Sequence, residues 1–180
     1  MVQDGLGDLF SSPGLLAVAR MTGKRLILGI DPGIADTGFG LVQVGNGGQL
    51  SCLEYGSIKT GPKKELVERL EILNAELARI IERHDPDLVA VEELFFSKNV
   101  KTALVVGQAR GVILLTAKQH NKRVVEFTPL QVKQAVSTYG KAGKQQVQRM
   151  VKLLLNLKEI PKPDDAADAL AIAICSANSL

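Results

Sequence analysis

The chain has 180 residues, 46% of them hydrophobic and 23% charged, which excludes a disordered polymer and allows one domain with its own core. Two cysteines, Cys52 and Cys175, are too few for a disulfide framework and are expected as small reduced core residues; no zinc-ligand spacing is present. No apolar run approaches the length of a membrane span, and the first twenty residues carry Asp4 and Asp8 without a basic start, so a cytoplasmic protein without a membrane partner is expected. The net charge of +3 hides an uneven distribution. Leu94 to Lys158 holds twelve Lys or Arg and one acid, Glu126, for a net +11, while the rest of the chain holds ten basic and eighteen acidic side chains, a net −8. Such a split points to one surface that meets a polyanion, nucleic acid before others.

Residues 1–23 show no clear period and contain Gly5, Gly7, Ser11, Ser12, Pro13 and Gly14. They read as a flexible N-terminal extension or an expression remnant, and residues 24–180 as the folded domain. Arg25 to Ile30 (RLILGI) is a short apolar strand closed by the turn signal Asp31-Pro32-Gly33. Thr37 to Val44 and Gln49 to Thr60 are strands joined through Gly45-Asn46-Gly47-Gly48, a hairpin composition. Lys63 to His84 is an amphipathic helix with Leu66, Leu70, Leu73, Leu77 and Ile80 on one stripe. Asp87 to Glu92 is a buried strand after the Asp85-Pro86 break. Asn99 to Gln119 is a long, broadly apolar helix, in which Gly107 and Gly111 would let another backbone come close. Arg123 to Phe127 is a further strand, followed by helices over Pro129 to Ser137, Lys144 to Leu157 and Asp165 to Ala177. Strands that return after helices join a sheet in parallel. The expected fold is α/β: a mixed five-stranded sheet, three antiparallel strands plus two parallel, flanked by helices.

Acids stand at the ends of two strands and at the start of the last helix. Asp31 ends the first strand and Glu92 the fourth, and ligands of α/β sheets bind beyond the carboxyl ends of strands. Asp164, Asp165 and Asp168 open an otherwise apolar helix, PKPDDAADALAIAI. Helix starts favour acids through capping and the dipole, so these three have a structural explanation of their own. Joined with Asp31 and Glu92 they would form an oxygen-rich cage suited to Mg²⁺ or Mn²⁺. Two such ions stabilise the attacking and leaving oxygens of a phosphodiester. Asp165 and Asp168, three apart, project from one helical face.

The string LGIDPGIADTGFG (Leu28 to Gly40) resembles the opening of the RuvC-type Holliday junction resolvases. VAVEELFFSKN, GQARG, QVKQAV, GKQQVQRMV and DAADALAIAI follow in the family's order, covering Lys24 to the C-terminus. The resemblance implies a ribonuclease-H-like fold and a homodimer that makes paired nicks in four-way junction DNA. It implies that Asp31, Glu92, Asp165 and Asp168 hold two Mg²⁺ per subunit, with Mn²⁺ as a substitute. Position 165 is the variable one, since some relatives carry His there. Lys133 and Lys144 match basic residues that hold DNA at the site, and Phe95 matches an aromatic that stacks on bases, with Phe96 a second candidate. Asp164 matches no catalytic position and is left as a cap or a solvated neighbour. The long helix with Gly107 and Gly111 is expected in the dimer interface. A branch-migration partner, the RuvA–RuvB complex, is implied as well. Gln3 to Phe10 (QDGLGDLF) loosely resembles motifs that dock on the bacterial sliding clamp. Rival readings are a RuvX-like nuclease acting on RNA, a sugar-kinase or actin-like ATPase, and a junction-binding protein with a dead site. The ATPase needs a second phosphate loop and an adenosine site that this chain does not contain.

Overall fold

The computed structural model describes residues 24–94, 100–137 and 143–179. Five strands, β1 (Arg25–Asp31), β2 (Asp36–Val44), β3 (Leu50–Lys59), β4 (Leu88–Glu92) and β5 (Arg123–Phe127), form one sheet in the order β3-β2-β1-β4-β5. β1 pairs antiparallel with β2, and β2 with β3; β4 runs parallel to both β1 and β5. This is the expected mixed sheet. The helices are α1 (Leu66–His84), α2 (Val100–Gln119), α3 (Pro129–Val136), α4 (Lys144–Leu154) and α5 (Asp164–Asn178).

Two helix ends differ from the sequence expectation by three residues, each for a local reason. α1 begins at Leu66 and not Lys63, because Glu65 caps it: Glu65 and Glu68 form a reciprocal capping box, with Glu65 N–H donating to Glu68 Oε2 at 2.9 Å. α4 stops at Leu154 and not Leu157, where Asn156 takes a positive φ of 50°. α3 starts as expected, with Thr128 and Gln131 capping it and Pro129 in its first turn.

Side-chain alternation along the strands separates two cores. Leu26, Leu28, Ile30, Val89 and Val91 face α1 and α2, where Leu73, Leu77 and Ile113 are fully buried. Ile27, Leu88 and Ala90 face the other side, covered by α3, α4 and α5. Burying each large aliphatic side chain of these layers contributes about 1.5–3 kcal/mol. Continued by one step, the same alternation turns Asp31 and Glu92 toward α5.

α5 is apolar on most of its surface because it is sandwiched. The sheet lies on one side, and α3 and α4 lie on the other. It comes unusually close to the strands. A Cβ on Gly29 would sit 2.1 Å from the Ala169 carbonyl oxygen, and one on Gly38 would sit 1.9 Å from that of Asp165. On Gly40 a Cβ would meet Leu170 Cδ2 at 2.7 Å. Gly29 and Gly40 are register partners, as are Asp31 and Gly38, so the glycines form one groove across β1 and β2. Gly107 and Gly111 behave differently. A Cβ at Gly107 would touch only the Leu94 side chain, at 3.4 Å, and one at Gly111 nothing within 4 Å. The close backbone approach expected there does not occur among the described residues of this chain. Cys175 is buried as expected, whereas Cys52 is half-exposed; both are free thiols.

Gly29→Ala should therefore destabilise the chain by about 1–3 kcal/mol, the usual cost of overpacking a filled core, because backbone and not a flexible side chain must yield. Urea unfolding with an unchanged m-value checks it; an unchanged midpoint would show that α5 moves aside freely.

Candidate active site

A cleft of about 280 Å³ opens where the ends of β1 and β4 meet α5. Asp31, Glu92 and Asp168 line it together with Lys133 and Lys144, and Val132, Val147 and Ala171 give it apolar walls. Five residues singled out from widely separated sequence blocks thus share one concavity. Ile30 and Val91 are register partners in the parallel pair, which sets Asp31 and Glu92 side by side at the strand ends. α5 delivers Asp168 because the glycine groove lets its first turns lie over β1 and β2. Asp165, one turn earlier, is half-buried beside Gly38 and outside the cleft wall, yet its charge reaches Asp31. Lys133 projects from α3 and Lys144 from the first turn of α4.

The electrostatics of the cleft are those of acids crowded out of water. Burial pushes the Asp31 carboxyl up to about 8, and the charges of Glu92, Asp168 and Asp165 add to this against Lys144. Burial raises Glu92 to about 7, reinforced by Asp168 and opposed by Lys133. Asp168 is raised by burial, with Lys144 pulling the other way. Lys144 Nζ stands 3.1 Å from Asp168 Oδ2 and 3.4 Å from Asp164 Oδ2. Burial depresses Lys144, but its hydrogen bonds to and the charges of Asp168 and Asp164 outweigh that and raise it.

Asp164 is not the helix cap. Pro163 occupies that position without a side-chain bond, and Asp164 is the first helical residue. Its carboxylate is exposed, accepts from Gln148 Nε2 at 3.0 Å and pairs with Lys144, which lowers it from the usual range. The solvated-neighbour expectation holds and the capping one does not.

The donor set suits a hard divalent cation, since it offers carboxylate oxygens without sulfur or imidazole. Charge argues the same way: three half-buried acids held above their ordinary values are relieved by a nearby cation. Among the described residues no three acids have converged on one point at ligand distance. Lys144 supplies the counter-charge instead, so the oxygens would have to turn inward, and Lys144 leave Asp168, to enclose an ion. Phe95 and Phe96 lie outside the described residues.

Sequence reasoning overlooked Gly29, Gly38 and Gly40. It also left Arg110 without a role. Arg110 ion-pairs with Glu126, and its Nε donates to the Glu92 carbonyl oxygen at 3.3 Å. The signal was present, because Glu126 is the single acid in the long basic block.

The strand order, with an acidic cleft at the ends of β1 and β4, is that of a ribonuclease-H-like fold. The family model described as crossover junction endodeoxyribonuclease RuvC matches residues 27–176. A protein of that name from Halothermothrix orenii is 58% identical over 154 residues, 86% of this chain and 93% of the relative. The solved structure of Thermus thermophilus RuvC is 38% identical, with a TM-score of 0.79 over 86% of this chain and 95% of that one. The T. thermophilus RuvC structure in complex with Holliday junction substrate is 39% identical, with a TM-score of 0.80 over 84% and 92%. The chain belongs to the RuvC family of crossover junction endodeoxyribonucleases.

A carboxyl raised by folding contributes stability below its ordinary value, and that contribution is lost as pH climbs through the raised one. For Asp31 the window runs from 3.8 to about 8. The melting temperature in EDTA should fall across it, Asp31→Asn should flatten the fall, and Mg²⁺ should raise the melting temperature at pH 8. An equally steep fall in Asp31→Asn would assign the pH dependence to other groups.

Proposed function

We propose that this chain is a Holliday junction resolvase, an endonuclease that makes paired, symmetric nicks in four-way junction DNA during recombination and repair. The observation that carries the reading is the shared cleft, where Asp31, Glu92 and Asp168 from three elements meet Lys133 and Lys144. The family membership sets aside the RNA-directed and ATPase rivals. A dead site is disfavoured because Asp31, Glu92, Asp165 and Asp168 are all present.

In this reading Asp31, Glu92, Asp165 and Asp168 are the residues that would hold Mg²⁺, two ions per subunit, with Mn²⁺ accepted. Bound there, Mg²⁺ would supply positive charge for the attacking water and the departing 3′ oxygen. The rest falls to the chain's own side chains. Lys133 and Lys144 bind the phosphates that flank the scissile bond. Lys144, released from Asp168, would keep Asp164 beside it and have N–H donors left for a phosphate oxygen. Val132, Val147 and Ala171 keep water away from one side of the cleft and so strengthen these charge contacts. Phe95 is read as the base-stacking aromatic.

Paired nicks need two sites related by symmetry. α2 offers a surface for a second copy: Leu104 and Leu115 are 63% and 58% exposed, on the side where Gly111 leaves open space. We read this face as the homodimer contact. Residues 24–180 are read as the resolvase domain, preceded by the extension 1–23. The RuvA–RuvB complex is the proposed branch-migration partner and the cytoplasm the proposed location. A clamp contact through Gln3 to Phe10 would be supported by loss of clamp co-elution on deleting residues 1–20.

The deciding assay compares a synthetic four-way junction with a matched linear duplex. Paired nicks in the junction alone, dependent on Mg²⁺ or Mn²⁺, are expected, and Asp168→Asn should bind the junction without cutting it. Cutting the linear duplex equally well, or activity that survives Asp168→Asn, would overturn the assignment. For the dimer, Leu115→Glu should shift sedimentation toward a monomer and uncouple the two nicks. A dimer unaffected by that change would move the contact elsewhere.

A further inference from the structure

Arg110 lies on α2 with its side chain only 20% exposed, and it reaches the back of the candidate active site. One end of its guanidinium ion-pairs with Glu126 on β5, while Nε donates to the Glu92 carbonyl oxygen at 3.3 Å. Glu126 is the register partner of Val91, one residue before Glu92. A single planar fork therefore ties α2 to the ends of two adjacent parallel strands. It does so where the ladder gives out: beyond Glu92, the Glu93 N–H to Phe127 carbonyl bond of 2.8 Å continues the link to β5. Both polar groups of the peptide that follows Glu92, its carbonyl oxygen and the Glu93 N–H, are thereby held.

The charge of Arg110 is already matched by Glu126. The charged neighbours that shift Glu92's own ionisation are Asp168 and Lys133. Arg110 thus touches the Glu92 peptide and not the carboxylate. A lysine in its place could keep the Glu126 pair, but it has no second arm at fixed angle for the carbonyl.

We propose that Arg110, anchored by Glu126, is a positioning residue that holds the Glu92 peptide from behind and so presents the Glu92 carboxylate to the cleft as a metal ligand. This rests on the reading of Glu92 as a ligand. It also gives the helix with the proposed subunit face a direct hold on one active-site acid, because Arg110 and Gly111 are neighbours on α2.

The test uses the full chain carrying Arg110→Lys, Arg110→Gln or Glu126→Gln. Mn²⁺ binding is measured without DNA by calorimetry, and single-turnover junction cleavage is measured separately at saturating Mn²⁺. Groups that orient ligands from behind typically cost about 10–100-fold in metal affinity or activity when removed. Arg110→Lys is expected to keep its melting temperature while weakening Mn²⁺ binding by about that range and slowing cleavage, with junction affinity in EDTA unchanged. A purely structural arginine would be rescued by lysine, so wild-type Mn²⁺ affinity and cleavage rate in Arg110→Lys would overturn the proposal. Should Arg110→Gln fail to fold, Glu126→Gln, which loosens only the anchor, must show the same weakened Mn²⁺ binding, and wild-type values there would be equally fatal. Wild-type chain that binds Mn²⁺ but leaves junctions uncut would refute the nuclease reading, while the Mn²⁺ titrations still decide the role of Arg110.

Discussion

Everything in the candidate active site depends on how closely α5 lies against β1 and β2. Three glycines remove the side chains that would hold the helix off, and Ala169 and Ala173 present the matching small surface. At this separation Asp168 reaches the cleft formed by the strand ends and Asp165 comes near enough for its charge to act on Asp31. A spacer of one methyl group at Gly29 or Gly38 would collide with backbone, and the acids would part company. Close packing leaves no slack to absorb it.

The second constraint is electrostatic. Bringing acids together in a half-buried cleft is unfavourable, and the raised Asp31 and Glu92 register that cost. Two features of the fold offset it. The basic residues sit on α3 and α4, directly across from the strand ends, and Lys144 bridges Asp164 and Asp168. The core supplies the rest, since two apolar layers hold the sheet while the carboxyl ends of its inner strands β1 and β4 carry the crowded charges. A cation and a polyanion together would complete the neutralisation, which is why an acidic cleft and a basic rim belong to one surface.

Legibility differed by the range of the interaction concerned. Helix and strand periodicity exposed the five strands and five α-helices of the described residues, because alternation and the 3.6-residue repeat are local. Helix ends slipped where a cap decided them, as Glu65 and Asn156 did. Asp31, Glu92, Lys133 and Lys144 stood out by position and by resemblance. The glycine groove did not, because its meaning lies in register: Gly29 opposite Gly40, and Gly38 opposite Asp31. Gly107 and Gly111 attracted notice by their spacing, yet Gly111 faces open space and Gly107 meets only the Leu94 side chain. Arg110 and Glu126 escaped for the same reason as the groove, being partners across a helix and a strand.

The amino-acid sequence by itself determined the elements, the α/β class, the separation of acidic and basic segments, and the family to which the chain belongs. These follow from local pattern and from residues in a fixed order. Tertiary structure alone decided that Asp168 lines the cleft while Asp165 stands beside it, that Asp164 pairs with Lys144 and leaves the cap to Pro163, and that Arg110 grips the Glu92 peptide. Each of those depends on distances between segments far apart in the chain. Such distances are set by how closely α5 and α2 can pack on the sheet, and no linear pattern records that.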